Sequence, residues 1–283
     1  MIDENAVVAA DAVVDPAAAV GPFCVVGARA RVGAGARLEA GCVLAEGASA
    51  GPDARLGPYT VLEAGSQVGA GAALACRVTV CAGTVVGDGA VIGAGAVLGR
   101  PPLAAAASTV RATDSGPLIL AEHCVVGAGA VVYAGTRLAK NVFLGDGALV
   151  RENCGVAERA VIGSGCIVEN DVQIGRSVKI QSGAYITAHM TIEDEVFIAP
   201  MVVTTNDNFM GRTEKRFALI KGATIRRRAR VGGGAVLLPG IEVGRESFIA
   251  AGAVVTKDAG AGKVLVGHPA RERRDVPEDE LLP

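Results

Sequence analysis

The sequence predicts an all-β fold, a parallel β-helix coiled from very short strands, and three observations lead to this prediction. The first is composition: of 283 residues, 39 are glycine, none is tryptophan and only 3% are aromatic, so the large side chains that fill most globular cores are scarce. The second is a period of six residues that repeats along most of the chain. The third is that this period breaks at two segments, at about residues 99–119 and 204–222.

The six-residue period is defined by Val, Ile or Leu at every sixth position, which we call the lead. Over Ile2–Leu98 the lead is branched aliphatic at 16 of 17 positions, with Ala50 as the exception. Over Leu120–Ile198 all 14 leads fit, and over Ile225–Val255 all six fit. The residue four positions after the lead is mostly small, and the residue directly after it is often glycine.

A period of six is three times the side-chain period of a strand. Each hexad therefore predicts a short strand and a bend, with the lead pointing inward and the glycine after it supplying the unusual backbone angles of the bend. Three hexads close an 18-residue coil, and coils stack by parallel pairing at about 4.8 Å. This is the hexapeptide class of β-helix. We expect one solenoid over residues 1–263 and a solvated tail over 264–283 with at most a helical turn.

Charge and cysteine usage exclude several classes. The formal net charge of −2 gives no reason to expect nucleic acid as a partner. No run of apolar residues is long enough to span a membrane, and the repeat begins at Ile2, where a secretory signal would stand. Seven cysteines without a CxxC pair argue against disulfides and zinc and favour the cytoplasm. Five of them occupy the small inward position, where we expect them to act as small hydrophobes: Cys24, Cys42, Cys124, Cys154 and Cys166.

Residues 18 apart share a column along the predicted coil, so its three corners can be compared. One corner carries mixed charges, and the next is bare glycine, where a ligand or a second chain can approach. The third stacks Glu152 and Asn170 in one column with His189 beside it, and the same column reaches Asn206 in the second interruption. Long loops in compact repeats are usually functional. The residues expected to wall the site from this loop are Asn206, Asp207 and Asn208. A solvated ladder of turns, or a clasp between subunits, explains the same pattern.

Several motifs resemble those of left-handed β-helix acyltransferases. The segments VRENCGV, AYITAHMTIEDEVFIAP, TTNDNFMGR and VGHPAR are similar to bacterial N-acetyltransferases that act on nucleotide-linked 3-amino-3,6-dideoxyhexoses. The resemblance covers nearly the whole chain and departs from the family at His268, where relatives commonly carry Asn. It implies a left-handed coil, a homotrimer, acetyl-CoA in the groove between neighbouring subunits, and an amino sugar that is linked to dTDP.

The resemblance also implies roles for individual residues. Glu152 takes the proton of the sugar amine, or holds the amine while the departing thiolate takes it, and Asn170 hydrogen-bonds the amine or a sugar hydroxyl. His189 is a weaker candidate for the base, and Tyr133 is a candidate for stacking on the nucleotide base. The predicted cofactor-binding residues, which would attract the phosphates of CoA, are Arg226, Arg228, Lys257, Lys263 and Arg271. A solvated basic face explains the segment IRRRAR equally well.

Other readings of the repeat stay open. A zinc enzyme of the γ-carbonic anhydrase type needs three converging histidines, but the three here lie far apart in sequence and in different kinds of position. An acyl-carrier-protein acyltransferase of the lipid A type would add a helical C-terminal domain, which the short tail does not suggest. A non-catalytic trimeric scaffold explains the hexads but not the Glu152–Asn170 column. We therefore expect an enzyme that needs no metal.

Overall fold

The computed structural model of the chain describes residues 1–104 and 115–282. Residues 105–114, which belong to the first predicted interruption, lie outside the described residues. The chain separates into two compact units: unit 1 is Met1–Gly147 with Arg151–Asn153, and unit 2 is Ala148–Val150 with Cys154–Pro283. Both units are built from short parallel strands, and this confirms the predicted all-β solenoid of hexapeptide repeats. The left hand of the coil stays a prediction.

Unit 1 contains strands β1 to β21, nearly all of them two residues long. The strands are β1 Val7–Val8, β2 Val13–Val14, β3 Ala19–Val20, β4 Val25–Val26, β5 Arg31–Val32, β6 Arg37–Leu38, β7 Val43–Leu44, β8 Ser49–Ala50, β9 Arg55–Leu56, β10 Val61–Leu62, β11 Gln67–Val68, β12 Ala73–Leu74, β13 Thr79–Val80, β14 Val85–Val86, β15 Val91–Ile92, β16 Val97–Arg100, β17 Ile119–Leu120, β18 Val125–Val126, β19 Val131–Tyr133, β20 Arg137–Leu138 and β21 Phe143–Leu144.

Every third strand of unit 1 joins the same sheet. The first sheet runs β1-β4-β7-β10-β13-β16-β19, the second runs β2-β5-β8-β11-β14-β17-β20, and the third runs β3-β6-β9-β12-β15-β18-β21. Pairing partners in the regular coils are 18 residues apart, as in Val25 with Val43. This register is the one that the hexad arithmetic predicts.

Unit 2 repeats the arrangement and adds a loop and a closing hairpin. Its elements are β22 Leu149–Val150, β23 Gly155–Val156, β24 Val161–Ile162, β25 Ile167–Val168, β26 Gln173–Ile174, β27 Lys179–Ile180, β28 Tyr185–Ile186, β29 Thr191–Ile192, β30 Phe197–Ile198, β31 Val203–Thr204, α1 Arg216–Leu219, β32 Thr224–Ile225, β33 Arg230–Val231, β34 Val236–Leu237, β35 Glu242–Val243, β36 Phe248–Ile249, β37 Val254–Val255, β38 Lys263–Val266, β39 Arg271–Asp275 and a 3₁₀ turn at Glu278–Glu280.

The sheets of unit 2 follow the same rule. They run β22-β25-β28-β31-β34-β37, β23-β26-β29-β32-β35, and β24-β27-β30-β33-β36-β38-β39. The second interruption lies between β31 and β32, as predicted, and it contains the short helix α1. Beyond it the register is restored, because Ile192 of β29 pairs directly with Ile225 of β32.

The core consists of the leads and the small residues beneath them. Large leads such as Leu44, Leu62 and Ile180 are completely buried. Burial of such side chains is worth about 1.5–3 kcal/mol each, and stacking them in columns lets two-residue strands persist.

Glycine has two separate uses in the coil, and our prediction for the glycine after the lead is wrong. That glycine lies where the next coil approaches closely: a Cβ on Gly21 would stand 2.9 Å from the Leu38 carbonyl oxygen, and one on Gly163 would stand 2.6 Å from the Ser182 nitrogen. Positive φ instead occurs three positions after the lead, as at Gly35 with φ of 69°. The bend therefore favours glycine three positions after the lead, and the close approach of the next coil favours glycine one position after it.

The cysteines of the small position do more than fill space. Each of the five donates its thiol to a backbone carbonyl 15 residues later, as Cys24 does to Glu39 at 3.0 Å and Cys166 does to Gln181 at 3.0 Å. Thr136 uses the same position and donates to the Arg151 carbonyl at 2.7 Å. All seven cysteines are free thiols. A small residue with a donor thus ties one coil to the next.

The tail differs from the expectation of a solvated segment with at most a helical turn. Strand β39 is exposed but pairs antiparallel with β38, with Lys263 opposite Asp275. Beyond it the chain returns to the solenoid, where Arg230 Nη1 donates to Glu280 at 2.9 Å and Arg228 Nη1 donates to the Leu282 carbonyl at 2.8 Å. Among the described residues, no helix has the length and apolar character needed to cross a bilayer.

Candidate functional site

The candidate site residues lie on the turns that follow the first sheet, and backbone geometry explains some of their identities. The second central residue of each turn has positive φ: 59° at Asn153, 57° at Asp171 and 63° at His189. Asn, Asp and His are the non-glycine residues that tolerate this region best. The residue before it is under no such constraint, so the backbone does not account for Glu152 or Asn170.

Glu152 lies in unit 1 and is only 4% exposed. Arg151 grips its carboxylate with two parallel hydrogen bonds, Nε to Oε2 at 2.8 Å and Nη2 to Oε1 at 2.9 Å. The backbone of Arg151 is in turn held by the Thr136 hydroxyl. A carboxylate is costly to bury unless it is paired in good geometry, and the bidentate guanidinium provides this pairing. The carboxylate at the predicted catalytic position is therefore held in one orientation.

Tyr133 stands beside this pair and is approached by two guanidinium groups. The Cζ of Arg151 lies 5.0 Å from the ring centroid, and the Cζ of Arg100 lies 5.4 Å from it. Both distances are within the range of a cation–π interaction. Sequence reasoning missed both arginines, although the spacing of 18 residues between Tyr133 and Arg151 puts those two in one column.

Asn170 lies in unit 2, where its Nδ2 donates to Asp171 Oδ2 at 2.6 Å. The same carboxylate oxygen is 3.6 Å from Nδ1 of His189, whose side chain is 46% exposed. The Asp171 carboxylate thus lies between the Asn170 amide and the His189 imidazole at the surface. A carboxylate beside an imidazole orients the ring, so His189 stays the second candidate base.

The loop of the second interruption begins at the same column. Asn206 Nδ2 approaches the Ala188 carbonyl at 3.5 Å, and the Asn206 carbonyl accepts from the Lys221 nitrogen at 3.0 Å, which closes the neck of the loop. The returning chain fits closely, because a Cβ on Gly222 would stand 2.8 Å from the Ala188 oxygen. Asn208 is exposed.

Asp207 has a structural task inside the loop. Its carboxylate accepts from the backbone nitrogens of Phe209 at 2.8 Å and Gly211 at 3.0 Å, and from Nε of Arg216 at 2.8 Å. The hydrogen bonds from Gly211 and Phe209, followed by Arg216, lower the pKa of Asp207 below its usual value. Asp207 therefore shapes the loop, while Asn206 lies at the column itself.

The predicted cofactor-binding arginines of the turn after β32 are paired with acids. Arg226 bridges Glu193 at 2.7 Å and Glu242 at 2.6 Å. Hydrogen bonds to Glu242 and then Glu193 raise the pKa of Arg226, and the bond to Arg226 lowers the pKa of Glu242. Arg228 donates to Glu195 at 2.5 Å and lies 3.6 Å from Glu246.

The remaining predicted cofactor-binding cations lie near the closing hairpin. Lys263 Nζ donates to Asp275 at 2.5 Å, which raises the pKa of Lys263. Arg271 Nη1 donates to the Ala270 carbonyl at 2.9 Å, and Lys257 is exposed. Within the described part of the chain, no group of three or more His, Cys, Asp and Glu side chains is arranged to hold a metal ion.

Known proteins match parts of this chain. A family model described as a hexapeptide repeat of succinyl-transferase matches residues 154–188 and 222–257. A putative acetyltransferase of Saccharomyces cerevisiae is 33% identical over 94 residues, which are 32% of this chain and 48% of that protein. A 2,3,4,5-tetrahydropyridine-2,6-dicarboxylate N-acetyltransferase of Staphylococcus aureus is 44% identical over 48 residues, which are 17% of this chain and 20% of that protein. The chain thus spans about half of the first relative and a fifth of the second.

Solved structures with similar folds share little sequence with this chain. One is a mutant of AntD, an N-acyltransferase from Bacillus cereus, in complex with dTDP and Coenzyme A: it is 15% identical with a TM-score of 0.44, and the match covers 53% of this chain and 86% of that one. Another is a mutant of GDP-perosamine N-acetyl transferase from Caulobacter crescentus in complex with CoA and GDP-perosamine, 20% identical with a TM-score of 0.33, covering 54% and 57%. The repeat and the parallel coils make each unit a β-solenoid of hexapeptide repeats, and the family model matches two segments of unit 2.

Proposed function

We propose that the protein is an acetyl-CoA-dependent N-acetyltransferase that acetylates the amino group of a nucleotide-linked sugar, a 3-amino-3,6-dideoxyhexose carried on dTDP. The observation that carries this proposal is Glu152, a carboxylate only 4% exposed at a turn position where the backbone does not require it. Its bidentate partner Arg151 keeps it oriented. Burying a carboxylate is costly, so its presence where the backbone does not require it supports a functional role.

Two kinds of similarity support the proposal at different depths. The family model is described for a succinyl-transferase, and the two partial relatives are described as acetyltransferases, which supports acyl transfer. The amino sugar and its nucleotide rest on the resemblance carried by the motifs VRENCGV, AYITAHMTIEDEVFIAP, TTNDNFMGR and VGHPAR.

The proposed chemistry is direct transfer without a covalent enzyme intermediate. The neutral amine attacks the thioester carbonyl, a C–N bond forms, the C–S bond breaks, and the thiolate of CoA leaves. Glu152 accepts the amine proton or holds the amine while the thiolate takes it; a general base contributes roughly 10²- to 10⁴-fold, and alignment of two bound substrates contributes more. Asn170 is proposed to hydrogen-bond the amine or a sugar hydroxyl.

The cofactor and the assembly are part of the proposal. Acetyl-CoA phosphates would be attracted by Arg226, Arg228, Lys257, Lys263 and Arg271. Since three of these cations have carboxylate partners, phosphate binding there exchanges one anion for another. A homotrimer is supported by exposed apolar side chains on the loop after β31, where Met210 is 90%, Phe217 51% and Leu219 58% exposed.

The test is to mix the protein with acetyl-CoA and a panel of amino-sugar nucleotides and to measure release of free thiol. Turnover with a 3-amino-3,6-dideoxyhexose is expected, and Glu152→Gln is expected to lower kcat by roughly 10²- to 10⁴-fold. The matched control is Glu122→Gln, an exposed acid of the same unit, which should leave kcat unchanged. A Glu152→Gln enzyme of full activity removes Glu152 from the base role. If the protein binds CoA but turns over none of the sugars, the proposed sugar substrate is wrong. If it does not bind CoA, the non-catalytic scaffold is the remaining explanation.

A further inference from the structure

Three side chains of unit 1 form a ladder beside Glu152: Arg100, Tyr133 and Arg151. The Cζ atom of Arg100 lies 5.4 Å from the centroid of the Tyr133 ring, and that of Arg151 lies 5.0 Å from it. Two cations near one ring repel each other, and an acid or a bound anion beside either of them lowers that repulsion. The balance differs between the two arginines.

Arg151 is balanced by the protein itself, through its two hydrogen bonds to Glu152. Arg100 is exposed, and among residues 1–104 and 115–282 no carboxylate forms an ion pair with it. Glu63, the acid that acts together with burial to raise the pKa of the nearby Cys81 thiol to about 11, accepts instead from the Ala82 nitrogen at 3.0 Å. Among residues 1–104 and 115–282, Arg100 is therefore a guanidinium of the ladder without a carboxylate partner.

An irregularity in β16 places Arg100 over the ring. The strand runs two residues beyond the usual hexad, and its register shifts so that Arg100 pairs with Tyr133. Gly99 permits this with a φ of 82°, and a Cβ there would collide with the Thr84 hydroxyl. The Arg100 carbonyl then accepts from the Ala134 nitrogen at 3.0 Å. Bulges of this kind re-aim a side chain beside functional sites.

We propose that Arg100, positioned by the ring of Tyr133, binds the diphosphate of the nucleotide-linked substrate and sets the affinity for it. This rests on the proposed function. The planar guanidinium matches the oxygens of a phosphate through two parallel hydrogen bonds and stacks on aromatic rings at the same time, which an ammonium group does not do. CoA also contains a diphosphate, but the ladder stands next to Glu152, where the sugar amine reacts.

This proposal changes the role given to Tyr133. A nucleotide base would have to compete with guanidinium groups for the ring. We therefore assign Tyr133 to the positioning of Arg100. The aromatic face then matters and the phenol hydroxyl does not.

The experiment compares Arg100→Ala, Arg100→Lys, Tyr133→Phe and Tyr133→Leu with the control Arg137→Ala. Arg137 is an exposed arginine of the same unit on the second sheet, so it removes the same charge away from the ladder. For each variant, KM is measured for the sugar nucleotide and for acetyl-CoA. Calorimetry then measures binding of dTDP, UDP, CoA and inorganic pyrophosphate.

The expected result is a KM for the sugar nucleotide raised roughly tenfold to hundredfold in Arg100→Ala, the worth of a charge-assisted hydrogen bond, with kcat and the KM for acetyl-CoA little changed. Arg100→Lys should lie between Arg100→Ala and the unaltered protein. Tyr133→Phe should match the unaltered protein, and Tyr133→Leu should follow Arg100→Ala in direction. The affinity for dTDP and UDP should fall in parallel.

The outcomes separate this proposal from the proposed function. If Arg100→Ala transfers acetyl groups with an unchanged KM for the sugar nucleotide, the proposed role of Arg100 is wrong and the proposed function stands. A rise in the KM for acetyl-CoA instead assigns the arginine to CoA and overturns the proposal. If dTDP binding depends on Arg100 but no acetyl transfer occurs, the proposed role of Arg100 stands and the proposed acetyltransferase function is wrong. Absence of dTDP and pyrophosphate binding, with a changed oligomeric state in Arg100→Ala, overturns the ladder in favour of a contact between subunits.

Discussion

Two regions of the molecule concentrate arginine, and they differ in what neutralises it. In unit 2, Arg226 and Arg228 each contact two carboxylates, and the tail adds a carbonyl and Glu280. In unit 1, Arg151 is paired with Glu152, and no carboxylate of the described residues forms an ion pair with Arg100. The unit 2 region is the one that stands out in the sequence as IRRRAR. The unit 1 region, which contains the arginine without a described carboxylate partner, has no such cluster of basic residues in the sequence.

The difference teaches that the density of basic residues is a poor guide to an anion site. A cation fixed between acids is already satisfied and serves to join coils. A cation without an acid, held over an aromatic ring, keeps its attraction for a ligand. Sequence shows the number of charges in each region, and structure shows which of them remain available.

The largest effect that would break this comparison is expected at Arg151. Arg151→Met should lower the free energy of unfolding by about 3 kcal/mol, because Glu152 would lose its bidentate partner in a site where its side chain is 6% exposed. The double variant Arg151→Met with Glu152→Gln should recover most of that loss, because no charge stays buried. Denaturant unfolding of the two variants and Arg137→Ala checks this. Equal stability of the single and double variants contradicts the view that Arg151 serves Glu152.

The fold was predictable because the period leaves little choice. A branched aliphatic residue such as Leu62 or Ile180 recurs at every sixth position, and 18 residues with three short strands form one coil. The same arithmetic predicts a column of Glu152, Asn170 and Asn206, and this column stays a prediction. The same period also identifies the inward position four residues after each lead, which is small in most hexads and takes larger residues such as Met190 in a few.

Two features of the candidate site were not predictable, and each depends on a local departure from the period. The partner of Arg226 is Glu193, 33 residues earlier rather than 18, because the loop after β31 inserts residues into that coil. Arg100 reaches Tyr133 only through the irregularity at Gly99. The hexad rule gives the registers of regular coils and fails where the backbone adds residues.

A pH series sharpens the contrast at Glu195. The hydrogen bond from Arg228 lowers the pKa of Glu195 below its ordinary value of 4.5, so the ion pair stabilises the fold above that pH and is lost as the pH falls through the folded-state pKa. Glu195→Gln should therefore unfold at a slightly lower temperature than the unaltered protein between about pH 5 and pH 7. The gap should close as the pH falls below 4.5. Thermal unfolding at each pH, with Glu122→Gln as control, measures it. A gap that persists in acid shows that lost packing, rather than charge, caused it.

The smallest effect is expected at the tail, where one substitution makes a paired arginine resemble Arg100. Arg230 and Glu280 form an ion pair at 2.9 Å with side chains 29% and 42% exposed, so Glu280→Gln should cost less than about 1 kcal/mol of stability. Phe248 lies 5.0 Å from the Arg230 guanidinium, as Tyr133 lies near Arg100. Removal of the carboxylate charge should therefore produce weak new binding of inorganic pyrophosphate, measured by calorimetry, while Asp279→Asn produces none. If Glu280→Gln gains no binding, a cation over an aromatic ring is not sufficient for an anion site, and the geometry of β16 must supply what the tail region lacks.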